Sequence, residues 1–387
     1  MASAEMNEGG GDHVVELVVN DGVAEGSPEI TPLLGAAQKP KINIFSVSYA
    51  RKTPREQVTK IVESEISLFV QVILWIWSGS KYSGLLCMAT SSLIYFIMEI
   101  LSDIFPVRSV PLFEIIFTRC TIILISSFVW LRRTGLPVFG PSHVRKLLTL
   151  RALVGFLSLL SFVYCIQALP LSQAIVLNFT TPIMASIAAR IILDEKPKIS
   201  DIGGLACSFF GLLFIFRPML STQGGLAETG EPRNTFVVRG SHPFFAVLVG
   251  LFSSVTGGIT YCLIRAGAKA SDQAVGTVFS FGLLATPAAA ICTFALQDFV
   301  FPDFYSLVHM GVLGELAFFA EVFLARGLQL EKTSKVANIQ YIEPFLSQMW
   351  SIGLPSVALS FGRIAGCLLI VVSVCSTVFF GPEKEVE

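Results

Sequence analysis

Two glutamates stand inside a long apolar stretch of the chain. Glu321 lies within the run LAFFAEVFLA, and Glu315 precedes it by six residues, so the two side chains point about 120° apart on a helix. A carboxylate at the centre of a bilayer costs about 2.5–3.5 kcal/mol on insertion scales. Removal from water favours the neutral carboxyl group, which can then take up and release a proton. Both residues are therefore candidates for proton or cation coupling, and the alternative for Glu321 is a structural hydrogen bond.

Polar side chains precede a proline at two places within apolar stretches. They are Asn338, Gln340, Tyr341 and Glu343 before Pro344, and Asn178, Thr180 and Thr181 before Pro182. A proline removes one backbone donor and frees a carbonyl, so each helix can open where these side chains cluster. Two interrupted helices at matching positions indicate a binding site near the midplane of a membrane. We expect Asn338, Gln340 and Asn178 to hydrogen-bond a substrate and Tyr341 to form a cavity wall; Asn178 and Gln340 could instead bond neighbouring helices.

Three further charged residues lie in apolar stretches closer to the amino terminus. Glu99 fits a place at the membrane surface as well as one in a cavity wall. Glu114 and Arg119 are five residues apart, so they point in different directions and are not expected to pair directly. Arg119 could join two helices or contact a ligand.

The composition excludes several classes of protein. Of the 387 residues 53% are apolar and only 14% are charged, against about 25% charged in soluble domains. The net charge of −1 argues against recruitment to nucleic acid by bulk charge. All eight cysteines fall in apolar runs, which indicates packing residues rather than disulfides or a metal site. No HExxH, GxSxG or Walker motif occurs, so we expect neither an enzyme nor a cofactor.

The apolar segments predict an all-α integral membrane protein. Each is about as long as a helix that crosses a 30 Å hydrocarbon core, and a barrel strand would be shorter and alternating. We count ten transmembrane helices: Gly84–Ile104, Pro111–Leu131, Arg151–Ala168, Leu171–Leu193, Ile202–Phe216, Pro243–Ile264, Gln273–Leu296, Ser306–Ala325, Val336–Pro355 and Phe361–Phe380.

The distribution of Lys and Arg predicts the orientation. Short connections on one side collect most of the basic residues, with Arg151, Arg265 and Lys335 among them, and this side should be cytosolic. Both termini are then cytosolic, and residues 217–242 form an external or lumenal linker. We expect a multi-pass protein of an endomembrane (vacuolar, endolysosomal or Golgi) or of the plasma membrane.

The first 83 residues differ from the rest. Seven acidic residues and no basic residue precede Lys39, which predicts a disordered cytosolic tail. A short interfacial amphipathic helix is expected near residues 58–77, with Trp75 and Trp77 at headgroup level; an eleventh span is the alternative. Glu29, Leu33 and Leu34 form an acidic dileucine, a candidate sorting signal. Residues 381–387 are expected to be a second cytosolic tail.

The two halves of the chain repeat each other. Aligning Pro182 with Pro344 places three further pairs in register without gaps, namely Ser172 with Ser334, Asn178 with Gln340, and Gly204 with Gly366. Five spans precede the linker and five follow it, so the second copy should enter the bilayer from the opposite side. The chain is thus expected to form two inverted five-helix repeats, residues 84–216 and 243–380.

Small residues recur every four positions in the fifth and tenth spans. They are Gly203, Cys207 and Gly211 in the fifth span, and Gly362 and Gly366 in the tenth. Such spacing lets helix backbones approach closely in lipid. We expect Gly203, Gly204, Gly211, Gly362 and Gly366 to mediate helix packing, either within one bundle or across a possible homodimer.

The region Ala168–Phe216 has a short Ala-Leu turn, a mid-helix proline, an acidic helix end at Glu195 and a glycine pair. It resembles the EamA-type branch of the drug/metabolite transporter superfamily, and most of all solute carrier family 35 subgroup G. The resemblance covers about residues 84–380 and implies two inverted EamA repeats and a transport function. Arg119 matches an arginine frequent in the family's second helix. The second copy departs at Val357, where an equivalent of Glu195 would stand.

Together these features predict a secondary transporter that moves a small organic metabolite by alternating access, with Glu321 and Glu315 for proton or cation coupling. The cavity should be lined by the first, third, fourth, sixth, eighth and ninth spans. A nucleotide-sugar or phosphate-ester exchanger is the alternative, disfavoured because only Arg119 is expected deep in the cavity. A membrane scaffold or regulatory subunit without transport is an alternative of another class.

Overall fold

The computed structural model describes residues 75–77, 82–104, 110–140, 142, 144–223, 243–297, 299–353 and 361–379. The predicted dileucine of Glu29, Leu33 and Leu34 lies outside these residues, as do most of the predicted amino-terminal tail, residues 224–242 of the linker and residues 381–387. The helices are α1 Ser83–Ile104, α2 Leu112–Thr134, α3 Arg145–Ala168, α4 Leu171–Asn178, α5 Thr181–Ile192, α6 Ile199–Gln223, α7 Pro243–Ser271, α8 Ala274–Leu296, α9 Phe304–Leu330, α10 Thr333–Ile339, α11 Ile342–Gly353 and α12 Phe361–Phe379.

Within the described residues, nine helical segments are long and apolar enough to cross a membrane. They correspond to nine of the ten predicted spans, and an all-α membrane protein is confirmed. The predicted ninth span is not among the nine; its residues form the short helices α10 and α11.

Two predicted boundaries are wrong for the same reason. We began the third span at Arg151 and ended the sixth at Ile264, next to Arg265, because charges usually mark membrane edges. In the structure α3 begins at Arg145 and α7 continues to Ser271. Both arginines therefore lie inside helices, and both are buried.

The fourth and ninth predicted spans are broken at matching positions. α4 ends at Asn178 and α5 begins at Thr181, with Pro182 in its first turn. α10 ends at Ile339 and α11 begins at Ile342, with Pro344 in its first turn. A proline in the first turn needs no hydrogen-bond donor there, so it starts a helix without strain.

One hydrogen bond joins the two breaks. The hydroxyl of Tyr341 donates to the backbone carbonyl oxygen of Phe179 at 2.8 Å, and both side chains are buried. The bond satisfies a carbonyl that the interruption of the fourth span leaves without a helical partner.

Helices from the two predicted halves pack against each other in pairs. α1 lies along α9, α2 along α8, α3 along α7, and α6 along α12. The last pair has the closest approach: a Cβ atom at Gly211 would lie 2.7 Å from the carbonyl oxygen of Gly366. Gly204 is close to Ser373, whereas a Cβ atom at Gly203 would meet nothing within 4 Å. Gly203 therefore makes no close helix contact within this chain, and its predicted role across a homodimer stays a prediction.

The segment before α1 departs from the expectation of an in-plane helix. Trp75 is exposed, but Trp77 is buried, with its ring edge-on to Phe323 at a centroid distance of 6.1 Å. The guanidinium of Arg326 lies 5.2 Å from the Trp77 ring centroid. Trp77 thus packs against α9 rather than facing headgroups.

Candidate functional site

A cavity of about 320 Å³ lies between the predicted halves. The predicted first, third, fourth, sixth, eighth and ninth spans all contribute to its wall, as expected. The second and seventh spans also contribute, through Arg119 and Phe281. Its polar lining side chains are Tyr95, Arg119, Arg151, Ser158, Asn178, Thr181, Ser253, Thr260, Tyr261, Glu321, Gln340 and Glu343.

The predicted coupling residue Glu321 faces this cavity and is paired there. Its Oε2 atom lies 3.4 Å from Nη2 of Arg151, and the two side chains are 17% and 2% exposed. The hydroxyl of Tyr95 donates to Oε1 of Glu321 at 3.2 Å. The ion pair links α3 to α9, and the hydrogen bond from Tyr95 links α1 to α9. The sequence did not predict this ion pair, because it indicated a cytosolic connection for Arg151.

The helix break in the ninth span places two predicted residues in the wall. Gln340 accepts a hydrogen bond from the hydroxyl of Tyr261 at 2.8 Å. Glu343 lines the cavity one turn further on, and Arg119 faces it from α2, with its Cζ atom 6.0 Å from the Tyr95 ring centroid. We call Arg119, Arg151, Glu321 and Glu343 the cavity cluster.

Two residues of the same break do not reach the cavity, contrary to prediction. Asn338 is buried; its Nδ2 donates to Ser373 at 2.9 Å and to Thr377 at 2.7 Å, and its Oδ1 accepts from Ser208 at 2.7 Å. Tyr341 points to the first helix break instead. The amide donors of Asn338 and the hydroxyl donor of Tyr341 are already used within the protein, so none of them is left for a substrate. Both residues therefore stabilise the packing of helices.

The remaining predicted acidic residues also lie elsewhere. Glu315 is exposed and accepts a hydrogen bond from Ser126 at 2.6 Å, and Glu99 is exposed and accepts one from Ser347 at 2.8 Å. Glu114 is buried and accepts from the backbone N–H of Val300 at 3.4 Å. None of the three lines the cavity.

A second group of buried charges lies where α5, α7 and α9 end. A carboxylate oxygen of Glu195 forms an ion pair with Nε of Arg265, and the side chains are 10% and 3% exposed. The backbone N–H of Thr333 donates to the other oxygen of Glu195 at 3.0 Å. The acidic helix end at Glu195, which its sequence alone makes typical of a solvated position, is thus largely buried and paired in the structure.

The same group continues into the connection between α9 and α10. Arg265 donates through Nη1 to the backbone carbonyl oxygens of Leu328, at 2.7 Å, and Glu331. The carboxylate of Glu331 lies 3.8 Å from Nζ of Lys335. Burial raises the pKa of Glu331, and the charge of Lys335 opposes that shift. We call Glu195, Arg265, Glu331, Thr333 and Lys335 the end cluster.

The comparisons with known proteins agree with this architecture. Residues 82–217 match the EamA-like transporter family. Solute carrier family 35 member G1 of Mus musculus is 25% identical over 279 residues, which cover 69% of this chain and 71% of that protein. A pseudopaline exporter of Pseudomonas aeruginosa is 26% identical over 268 residues, covering 68% of this chain and 85% of the exporter. A crystal structure at 16% identity shares the fold with a TM-score of 0.63 and covers 78% of this chain and 100% of its own.

Proposed function

We propose that this chain, as a member of the EamA-type branch of the drug/metabolite transporter superfamily, moves a small organic molecule by alternating access. The observation that carries the proposal is the cavity of about 320 Å³. It lies where both broken helices meet, and charged side chains that line a cavity within a membrane protein are typical of substrate and ion pathways.

We propose further that the chain has ten spans in two inverted repeats. The two helix breaks occur within one residue of the positions that the alignment of Pro182 with Pro344 makes equivalent. The helix pairing supports the same symmetry, because exchange of the halves converts the contact of α1 with α9 into that of α7 with α3. The same exchange replaces α6 by α12 and α12 by α6, so it leaves the contact between these two helices unchanged.

The end cluster supplies one barrier for alternating access. Glu195 lies in the first repeat and Arg265 in the second, so their ion pair holds the repeats together at one end of the cavity. The charge bias predicts that this end is cytosolic. Opening the cavity to that side requires this pair and the bond from Thr333 to break.

Coupling to protons is assigned to Glu321 in this proposal. Protonation would neutralise its carboxylate and end its ion pair with Arg151. The other titratable or charged groups at the cavity wall are Tyr95, Arg119, Tyr261 and Glu343, together with Cys120. Because Glu321 touches both α1 and α3, its protonation state can alter contacts on both sides of the cavity.

Flux into sealed membrane vesicles tests the function. Vesicles from cells that make the full chain would be incubated with an isotope-labelled mixture of small organic metabolites, and their contents compared with those of vesicles lacking it. Ile116→Trp adds bulk to the cavity wall, while Ile125→Trp places the same residue on the exposed face of the same helix.

We expect at least one metabolite to accumulate with the wild type and with Ile125→Trp, and not with Ile116→Trp at equal abundance. If no metabolite differs between vesicles with and without the wild-type protein, the transport proposal is wrong and the scaffold alternative gains support.

A further inference from the structure

One side chain in the cavity wall has hydrogen-bond donors that the protein does not satisfy. Nη2 of Arg151 faces Glu321, but Nε and Nη1 are buried and have no hydrogen-bond partner among the described residues. The planar guanidinium has two edges that can each donate a pair of hydrogen bonds, one formed by Nε and Nη2 and the other by Nη1 and Nη2. Because Nη2 belongs to both edges, each edge keeps one donor without a partner, Nε or Nη1.

Open donors on a buried cation are costly. A buried donor without a partner is destabilising, and more so when the group is charged. The guanidinium stacks on Phe281, with Cζ 4.6 Å from the ring centroid. A ring face attracts the positive charge but offers no acceptor to the edges. The edges of Arg151 therefore match an acceptor that comes from outside the chain.

The charges around the cavity favour a negatively charged acceptor. Arg119 contributes a second permanent positive charge to the wall that holds Arg151. The carboxyl groups that oppose them are Glu321 and Glu343. Protonation of either carboxyl group leaves the cavity cluster with net positive charge, which attracts an anion.

We propose that the cavity binds a small organic anion whose carboxylate or phosphate oxygens accept hydrogen bonds from the open edges of Arg151. The inference rests on the transport function proposed above and names the class of its substrate. A volume of about 320 Å³ lies near the lower end of the 300–1,000 Å³ of ligand sites. It fits a short dicarboxylate or a glycerol phosphate better than a nucleotide sugar.

Exchange of partners on Arg151 would link the anion to the proton. Glu321 takes one proton from the solution, its ion pair with Arg151 is lost, and the anion replaces the carboxylate on the guanidinium. Proton and anion then occupy the same cavity and cross together. Release of the anion leaves Arg151 free to pair with Glu321 again, and the proton returns to solution on the other side.

Binding can be measured without transport. The thermal stability of the purified full chain would be followed in increasing succinate, glycerol 3-phosphate or glucose at constant ionic strength. Arg151→Gln removes the site, and Arg145→Gln removes an exposed arginine from the same helix. We expect one of the two anions to raise the melting temperature of the wild type and of Arg145→Gln, and glucose to have no effect. A carboxylate site responds to succinate and a phosphate site to glycerol 3-phosphate.

Several outcomes would overturn the inference. An equal shift in Arg151→Gln means that the anion acts elsewhere. No shift with either anion, in a protein that does transport a metabolite into vesicles, excludes the anion class but leaves the transport proposal standing. Should Arg151→Gln not fold, Arg151→Lys keeps the charge without the planar fork. Its half-saturating anion concentration should be about tenfold higher than that of the wild type, the equivalent of one lost charge-assisted hydrogen bond, and an unchanged value contradicts the proposal.

Discussion

The end cluster and the cavity cluster contain the same kinds of side chain, but they differ in how many donors have a partner. In the end cluster, Arg265 binds a carboxylate and two backbone carbonyls, and Lys335 faces Glu331. In the cavity cluster, Arg151 makes one contact of 3.4 Å with Glu321 and leaves two nitrogen atoms open. Buried charge by itself is thus a poor guide to function in this protein. In Arg151, incomplete pairing coincides with a place in the cavity wall.

The largest expected effect separates the two clusters by stability. Arg265→Gln leaves Glu195 buried without its cation, and breaking a buried pair typically costs about 3–5 kcal/mol. Arg151→Gln removes a cation that is only partly satisfied, so its cost should be clearly smaller. Thermal unfolding in detergent measures both variants. Equal losses of stability would mean that the cavity cluster is structural as well.

The second prediction concerns coupling and uses two glutamates of α9. Glu321→Gln should lower proton-driven uptake at least about tenfold and remove its pH dependence, because a neutral amide can neither form an ion pair with Arg151 nor carry a proton. Glu315→Gln, which changes an exposed carboxylate on the same helix, should leave both properties unchanged. Uptake against external pH in vesicles tests the pair. A normal pH profile in Glu321→Gln would exclude this residue as the coupling site.

The third prediction addresses the bond between the two helix breaks. Tyr341→Phe removes the hydroxyl that satisfies the Phe179 carbonyl and should destabilise the protein by about 1 kcal/mol. Asn178 at the end of α4 and Gln340 directly after α10 should keep their places in the cavity wall. A fall in melting temperature with unchanged anion affinity would agree with this assignment. A change in affinity without a change in stability would place Tyr341 in the binding site after all.

The smallest expected effect is a pH dependence of the end cluster. Burial raises the pKa of Glu331 in the folded state. As pH rises, the unfolded chain therefore loses this proton first, and the folded protein loses it only at a higher pH. The stability that this proton contributes is complete below the ordinary carboxyl range and is lost as pH rises through the raised value. Glu331→Gln should flatten this part of the profile of melting temperature against pH. An identical slope in variant and wild type would contradict the assignment.

The sequence predicted the apolar spans well because their length and composition follow from the thickness of a bilayer. It misplaced Arg151 and Arg265, since a count of basic residues cannot distinguish a charge in a loop from one that is paired inside the bundle. At the ninth span the cluster before Pro344 was recognised, but neighbouring residues at a helix break point in different directions. Gln340 therefore faces the cavity, whereas Asn338 contacts α12 and Tyr341 contacts the first helix break. The direction of each side chain depends on the backbone at the break, which residue types alone do not determine.

The contacts of Asn338 bear on the order in which the protein is made. Two of its partners, Ser373 and Thr377, belong to α12, which leaves the ribosome after every other described helix. Until α12 packs against it, the amide in α10 lacks those acceptors, and a buried polar group without a partner costs about 1–3 kcal/mol. Packing of α12 thus completes the hydrogen bonds of Asn338 in α10, a helix that is synthesised before it. A nascent chain that stops before Phe361 keeps an exposed amide and an open glycine surface at Gly211, and we expect the cell to degrade it rather than release it as a shorter transporter.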